Sequence, residues 1–136
     1  MIIVDSSVLI DYLKGVDSVQ VTYLDDIIHQ AGDYRIPAIC CQEVLQGARD
    51  EHEWRQLHQY LTTQTVLVPS DPLAAHISAA RIYYDCRRRG HTIRSTIDCF
   101  IAFMAIENNA VLLHNDRDFE AISSCTPLKV WDLPSR

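Results

Sequence analysis

The apolar stretches of this chain each carry one acidic residue and no other charge: Asp5 in MIIVDSSVLI, Glu43 in IPAICCQEVLQGA and Asp98 in TIDCFIAFMAI. An isolated ionised carboxylate in apolar surroundings costs several kcal/mol even after relaxation, so such a group is normally paired, protonated or holding a cation. A fold that buries these stretches must therefore give the three acids a shared positive partner. A further pair, Asp116 and Asp118 in VLLHNDRDF, follows another apolar run. The set reads as a divalent-metal site.

The order of elements gives these acids a common address. Met1 to Val4 is a short apolar run suited to a buried strand, and SSVLIDYLKG supplies serines for a helix start and Gly15 for its stop. DSVQVTYLDDIIHQAG reads as a second helix ending near Gly32, and YRIP as a strand closed by Pro37. A third helix carries Glu43, and a fourth runs from about Asp50 to Thr62. VLV at 66–68 is a strand, and DPLAAHISAARIYYDCRRRG is a long helix with Asp71 as cap and Gly90 as stop. A sixth helix carries Asp98, AVLLHNDRDF gives a strand and a short helix, and LKVW gives a last strand. Strands alternating with helices predict an α/β fold with a mainly parallel sheet. In such sheets ligands gather beyond the carboxyl ends of the strands, where Asp5 and Asp116 both fall. Asp98 lies on a helix that is apolar on nearly all faces, so it should be buried in most orientations.

Composition narrows the function. A length of 136 residues fits one domain over 1–136, with 48% apolar and 22% charged residues, close to ordinary globular usage. No apolar run approaches the roughly 18 residues of a membrane span, and no signal-peptide pattern opens the chain, which predicts a cytoplasmic protein with no membrane partner. Five cysteines, with no CxxC pair or zinc spacing, read as reduced core residues. A net charge of −6 argues against holding nucleic acid by bulk electrostatics, so any such contact is local. The one local basic feature is CRRRGHTIR, with Arg87, Arg88, Arg89, His91 and Arg94 just before Asp98. It reads equally as a solvated helix end and as a device that steers phosphate.

Each acid also has an ordinary structural reading. Asp5 can be an N-cap, Asp98 a first-turn acid favoured by the helix dipole, Glu43 the partner of Arg49 or another arginine, and Asp116 or Asp118 a cap for the following helix. Separate accidents explain the set less well than one shared cation. All-oxygen ligation without clustered His or Cys selects a hard ion, magnesium or manganese, rather than zinc or copper. Pairs of such ions activate an attacking water and stabilise the leaving oxygen of a phosphodiester, so phosphodiester hydrolysis is the natural chemistry. Among the six histidines only His114 lies near the acids in sequence, where a phosphate contact is open to it.

At this point the residues resemble a known family. IIVDSSVLIDYL, EVLQGAR with Glu43 and Gly47, TIDCFIA with Asp98, and LLHNDRDFEAI with Asp116 and Asp118 are similar, in order and along nearly the whole chain, to the motifs of the PIN-domain ribonucleases. Among these they resemble the VapC toxins of type II toxin–antitoxin pairs. The resemblance implies a three-layer α/β/α sandwich around a mainly parallel sheet, endonucleolytic cleavage of RNA with Mg2+ or Mn2+, and catalytic acids at Asp5, Glu43, Asp98 and Asp116, with Asp118 as an alternate or supporting acid. It places Ser6 or Ser7 at the family's small hydroxyl position and His114 where many relatives carry Thr or Ser. It further implies a homodimer and a cognate antitoxin through which any DNA contact is made. A PIN nuclease of RNA processing and a non-catalytic PIN module that binds protein are the alternatives, although inactive versions usually lose acids. A receiver domain lacks its acidic pair and central Asp here, and a dinucleotide-binding domain lacks G-x-G-x-x-G.

Overall fold

A computed structural model describes residues 1–132. Strand β1 (Ile2–Val4) is followed by helices α1 (Ser6–Leu13) and α2 (Val19–His29), then β2 (Tyr34–Pro37), α3 (Ala38–Gln46), α4 (Glu51–Thr62) and β3 (Val66–Leu67). The chain continues through α5 (Pro72–Arg88), α6 (Thr96–Glu107), β4 (Val111–Leu113), α7 (Arg117–Cys125) and β5 (Lys129–Val130). The local signals in the sequence set these boundaries. Ser18, Asp50 and Asp71 each cap a helix by accepting a backbone N–H three residues on. Gly15 and Gly90, at φ of 71° and 85°, take the left-handed turn that ends α1 and α5. Helix α2 stops at His29 rather than near Gly32, because Gln30 already takes the C-cap position.

The five strands are all parallel, in the order β3-β2-β1-β4-β5. The sheet therefore grows outward from β1 through β2 to β3, then returns to the other side of β1 for β4 and β5. Right-handed crossovers place the connections of these two halves on opposite faces. The packing agrees: α1 packs on both α2 and α3, and α3 on α4, while α5, α6 and α7 form a second group. The expected α/β/α layering is thus present. Ile3, Val4, Leu112 and Leu113 in the two central strands are fully buried, as strands covered on both sides require. The reversal of direction between β1 and β4 is a topological switch point, where a parallel sheet leaves a crevice at its carboxyl edge. Among the described residues, no helix is long and apolar enough to cross a membrane.

The five thiols are free. Cys40, Cys86 and Cys99 are core residues as expected, whereas Cys41 and Cys125 are only partly buried.

Candidate metal centre

The switch-point crevice is lined by acids. Asp5 directly follows β1, and its backbone N–H donates to the Leu113 carbonyl at 3.0 Å, joining the ends of β1 and β4. Its Oδ2 accepts the Ser7 N–H at 3.1 Å and the Ser7 hydroxyl at 2.5 Å. Asp5 is therefore the N-cap of α1. That is the structural reading open in the sequence, yet capping is not its whole environment. The residue is only 4% exposed and burial pushes its carboxyl pKa up, against the lowering effect of the Ser7 bonds.

Two neighbouring serines do different work. The Ser7 hydroxyl, while donating to Asp5, accepts the Asn115 N–H at 3.1 Å and so ties α1 to the loop after β4. The Ser6 hydroxyl donates instead to Glu43 Oε1 at 3.0 Å, joining α1 to α3. Glu43 does not pair with Arg49, which binds Glu53 at 2.8 Å. Burial, then the charge of Asp5, raises the Glu43 pKa against the Ser6 bond.

Asp98 occupies the first turn of α6, a helix that buries Cys99, Ile101, Ala102, Met104 and Ala105 besides the acid itself. The carboxylate is 7% exposed, and its Oδ2 is fully buried with no hydrogen-bond partner. Burial, followed by the charges of Asp5, Asp116, Asp118 and Glu43, pushes its pKa up to about 7. The five sequence-identified acids fall into two adjoining groups, Asp5 with Glu43 and Asp98 with Asp116 and Asp118, and Asp98 feels the charge of the other four. Asp98, Asp116 and Asp118 offer oxygens within 4.8 Å of one another.

Asp116 caps α7 by accepting the Asp118 N–H at 3.0 Å. Arg94 reaches both acids of this outer pair: its backbone N–H donates to Asp118 Oδ2 at 3.0 Å, and its side chain lies 3.5 Å from Asp118 and 3.4 Å from Asp116. Arg87, Arg88 and Arg89 stay exposed at the end of α5, where Arg88 lies over the Tyr84 ring. His114 is buried, packed on Phe119 at 5.0 Å, and its Nδ1 accepts the Asp116 N–H at 3.1 Å. The neutral ring that burial favours therefore carries its proton on Nε2, 3.6 Å from Glu120. His114 anchors the backbone of Asp116 from within rather than lying open at the surface.

Cys40 was not singled out by the sequence, although it lies three residues before Glu43 on the same helix. Its sulfur is within 4.8 Å of oxygens of Asp5 and Glu43. Burial, reinforced by Asp5, raises its pKa well above the ordinary thiol range, so it is a protonated core thiol.

A divalent cation fits this arrangement. The donors are carboxylate oxygens, the deepest of them lacks any partner, and their mutual repulsion is what a hard cation relieves. The residue order that builds the crevice also defines its class. The chain belongs to the PIN-domain family, whose model matches residues 2–124. It is 32% identical over 132 residues to the VapC ribonuclease Mb1587 of Mycobacterium bovis and to ribonuclease VapC11 of Mycobacterium tuberculosis, covering 95% of this chain and 96% of each relative. Solved structures with the same fold include FitAcB from Neisseria gonorrhoeae, with a TM-score of 0.72 and 22% identity over 97% of both chains. VapBC-1 from nontypeable Haemophilus influenzae has a TM-score of 0.70 and 23% identity, over 97% of this chain and 98% of that one.

Proposed function

We propose that this protein is a metal-dependent endoribonuclease, a VapC-like toxin that hydrolyses RNA phosphodiester bonds and is neutralised by a cognate antitoxin. The observation that carries the proposal is Asp98 Oδ2, buried and unpartnered among four other carboxylates. Support from outside the site comes from the relatives named as VapC ribonucleases and from neighbours solved as VapBC complexes, two of them bound to DNA. DNA reaches this chain, on that reading, only through the antitoxin. The same reading makes residues 1–136 a single PIN-like domain of the cytoplasm, in keeping with its free thiols.

Asp5 and Asp98 would hold Mg2+ or Mn2+, with Glu43 and Asp116 completing the acidic set and Asp118 in support. When bound, the cation supplies the positive charge that makes water nucleophilic at neutral pH and stabilises the leaving oxygen. The protein's own residues prepare the site. Ser7 holds Asp5 in one orientation by a hydroxyl fixed at both ends, and Ser6 aims Glu43 across from α3. Without a cation, burial and the four neighbouring acids keep Asp98 protonated well above the usual carboxylate range, which relieves the crowding of charge. Arg94 is a cationic group at the rim of the outer acids and contacts the RNA phosphate there, while His114 fixes the loop that presents Asp116.

A second copy of the chain covers the outer side of α5. Leu73, Ile77, Ala80 and Tyr84 recur at helical spacing on one stripe, all exposed, with Leu73 at 71% and Ile77 at 61%. A homodimer seen by light scattering, and lost in Ile77→Glu, supports this reading; a monomer at micromolar concentration rejects it.

The direct test is cleavage of labelled total RNA by the purified chain with Mg2+ or Mn2+, with chelator, and with Asp98→Asn. Cutting that requires metal and disappears in the variant supports the nuclease. Equal cutting by the variant contradicts it.

A further inference from the structure

The Arg94 guanidinium is held in a way that a structural salt bridge is not. Its side chain is 64% exposed, and its contacts to Asp116 and Asp118 are long, at 3.4 and 3.5 Å. The Asp116 oxygen it approaches, Oδ1, already accepts the capping N–H of Asp118. The backbone N–H of Arg94 binds Asp118 independently at 3.0 Å, so the loop is anchored without the side chain. The guanidinium neutralises only the outer pair. Asp98 Oδ2, deeper in the crevice, stays unpartnered although a cation lies at its edge.

We infer that Arg94 is an exchangeable counter-ion built into the chain, which competes with the divalent cation for Asp116 and Asp118. This rests on the metal-site reading above and adds to it a residue that sets how readily the metal binds. A loose, solvated ion pair contributes little, so releasing it is cheap, yet its positive charge opposes a second cation a few ångströms away. The fold thus keeps the outer acids partly neutralised until metal arrives. The exchange leaves the guanidinium free at the rim.

The test is Mn2+ binding, measured by calorimetry and by the electron paramagnetic resonance of free Mn2+, for the wild type, Arg94→Gln, Arg94→Lys and Asp98→Asn. All four are first shown to be folded by circular dichroism. The inference predicts that Arg94→Gln binds Mn2+ about two- to fivefold more tightly, the range that an exposed ion pair spans. Arg94→Lys, which keeps the charge, should stay near the wild type, and Asp98→Asn should lose binding. Unchanged or weaker binding in Arg94→Gln, while Asp98→Asn still loses it, overturns the counter-ion and leaves the metal site standing. No binding by the wild type overturns both.

Discussion

Replacing Asp98 by Asn should stabilise the metal-free protein, and by more at high pH than at low. The free carboxyl releases its proton near 3.8, whereas in the folded chain it holds it to about 7, because of burial and four acidic neighbours. Between those values the folded state binds more protons than the unfolded one. Stability from this group is therefore highest below pH 3.8, falls as pH rises, and reaches its minimum above 7. The difference corresponds to at most about 4 kcal/mol at roughly 1.4 kcal/mol per tenfold. With solvent screening at the mouth of the crevice, about 2–4 kcal/mol is expected. Asn carries no charge, and its amide supplies a donor to the neighbouring carboxylates. Urea unfolding in chelator at pH 8 should therefore show the midpoint of the variant raised by about 1–2 M, for a slope near 2 kcal/mol per M. At about pH 5 the gain should shrink to roughly 1 kcal/mol. A variant less stable than the wild type at pH 8, or equally stabilised at both pH values, refutes the argument.

Other consequences follow from the same contacts. Mn2+ affinity should rise about tenfold per pH unit up to roughly pH 7 and then level off, as Asp98 loses the proton that the metal must displace; calorimetry in two buffers should detect the release, and a flat profile contradicts it. Ser7→Ala removes both the donor to Asp5 and the acceptor of the Asn115 N–H. It should cost about 1–2 kcal/mol in urea unfolding and lower RNA cleavage as well; unchanged stability sinks the tether. Ser6→Ala frees Glu43 and should slow cleavage roughly fivefold for about 1 kcal/mol of lost positioning, with little change in unfolding midpoint. Unaltered rates for that variant mean that Glu43 needs no support from α1.

The chain advertises its elements locally and its site only in part. Asp71 with Pro72, and the left-handed Gly15 and Gly90, are readable within a few residues because caps and stops act within one turn. Asp98 on an all-apolar helix is readable because burial there hardly depends on orientation. The double role of Asp5 and Asp116, as helix caps that also face the crevice, leaves each looking ordinary when taken singly. What joins the acids is not local. Ser6 and Glu43 are 37 residues apart, and Arg94 and Asp118 are 24 apart, so the first bond exists only once β1 pairs with β2 and α1 packs on α3, and the second only once α6 packs on α7. Cys40 lies one helical turn before Glu43, but its approach to Asp5 arises only when α3 packs on α1. His114 sits close to the acids in sequence, but the choice between surface contact and internal anchor depended on Phe119 and the Asp116 backbone.

The proposed nuclease depends on the switch-point carboxylates together holding a divalent cation. Anomalous diffraction from crystals soaked in Mn2+ near pH 8 tests it most directly. Density is expected in the crevice beside Asp98 Oδ2 and Asp5 and bordered by Asp116, with no such peak in Asp98→Asn crystals. A well-ordered crevice without anomalous density, in crystals that bind Mn2+ elsewhere, contradicts it.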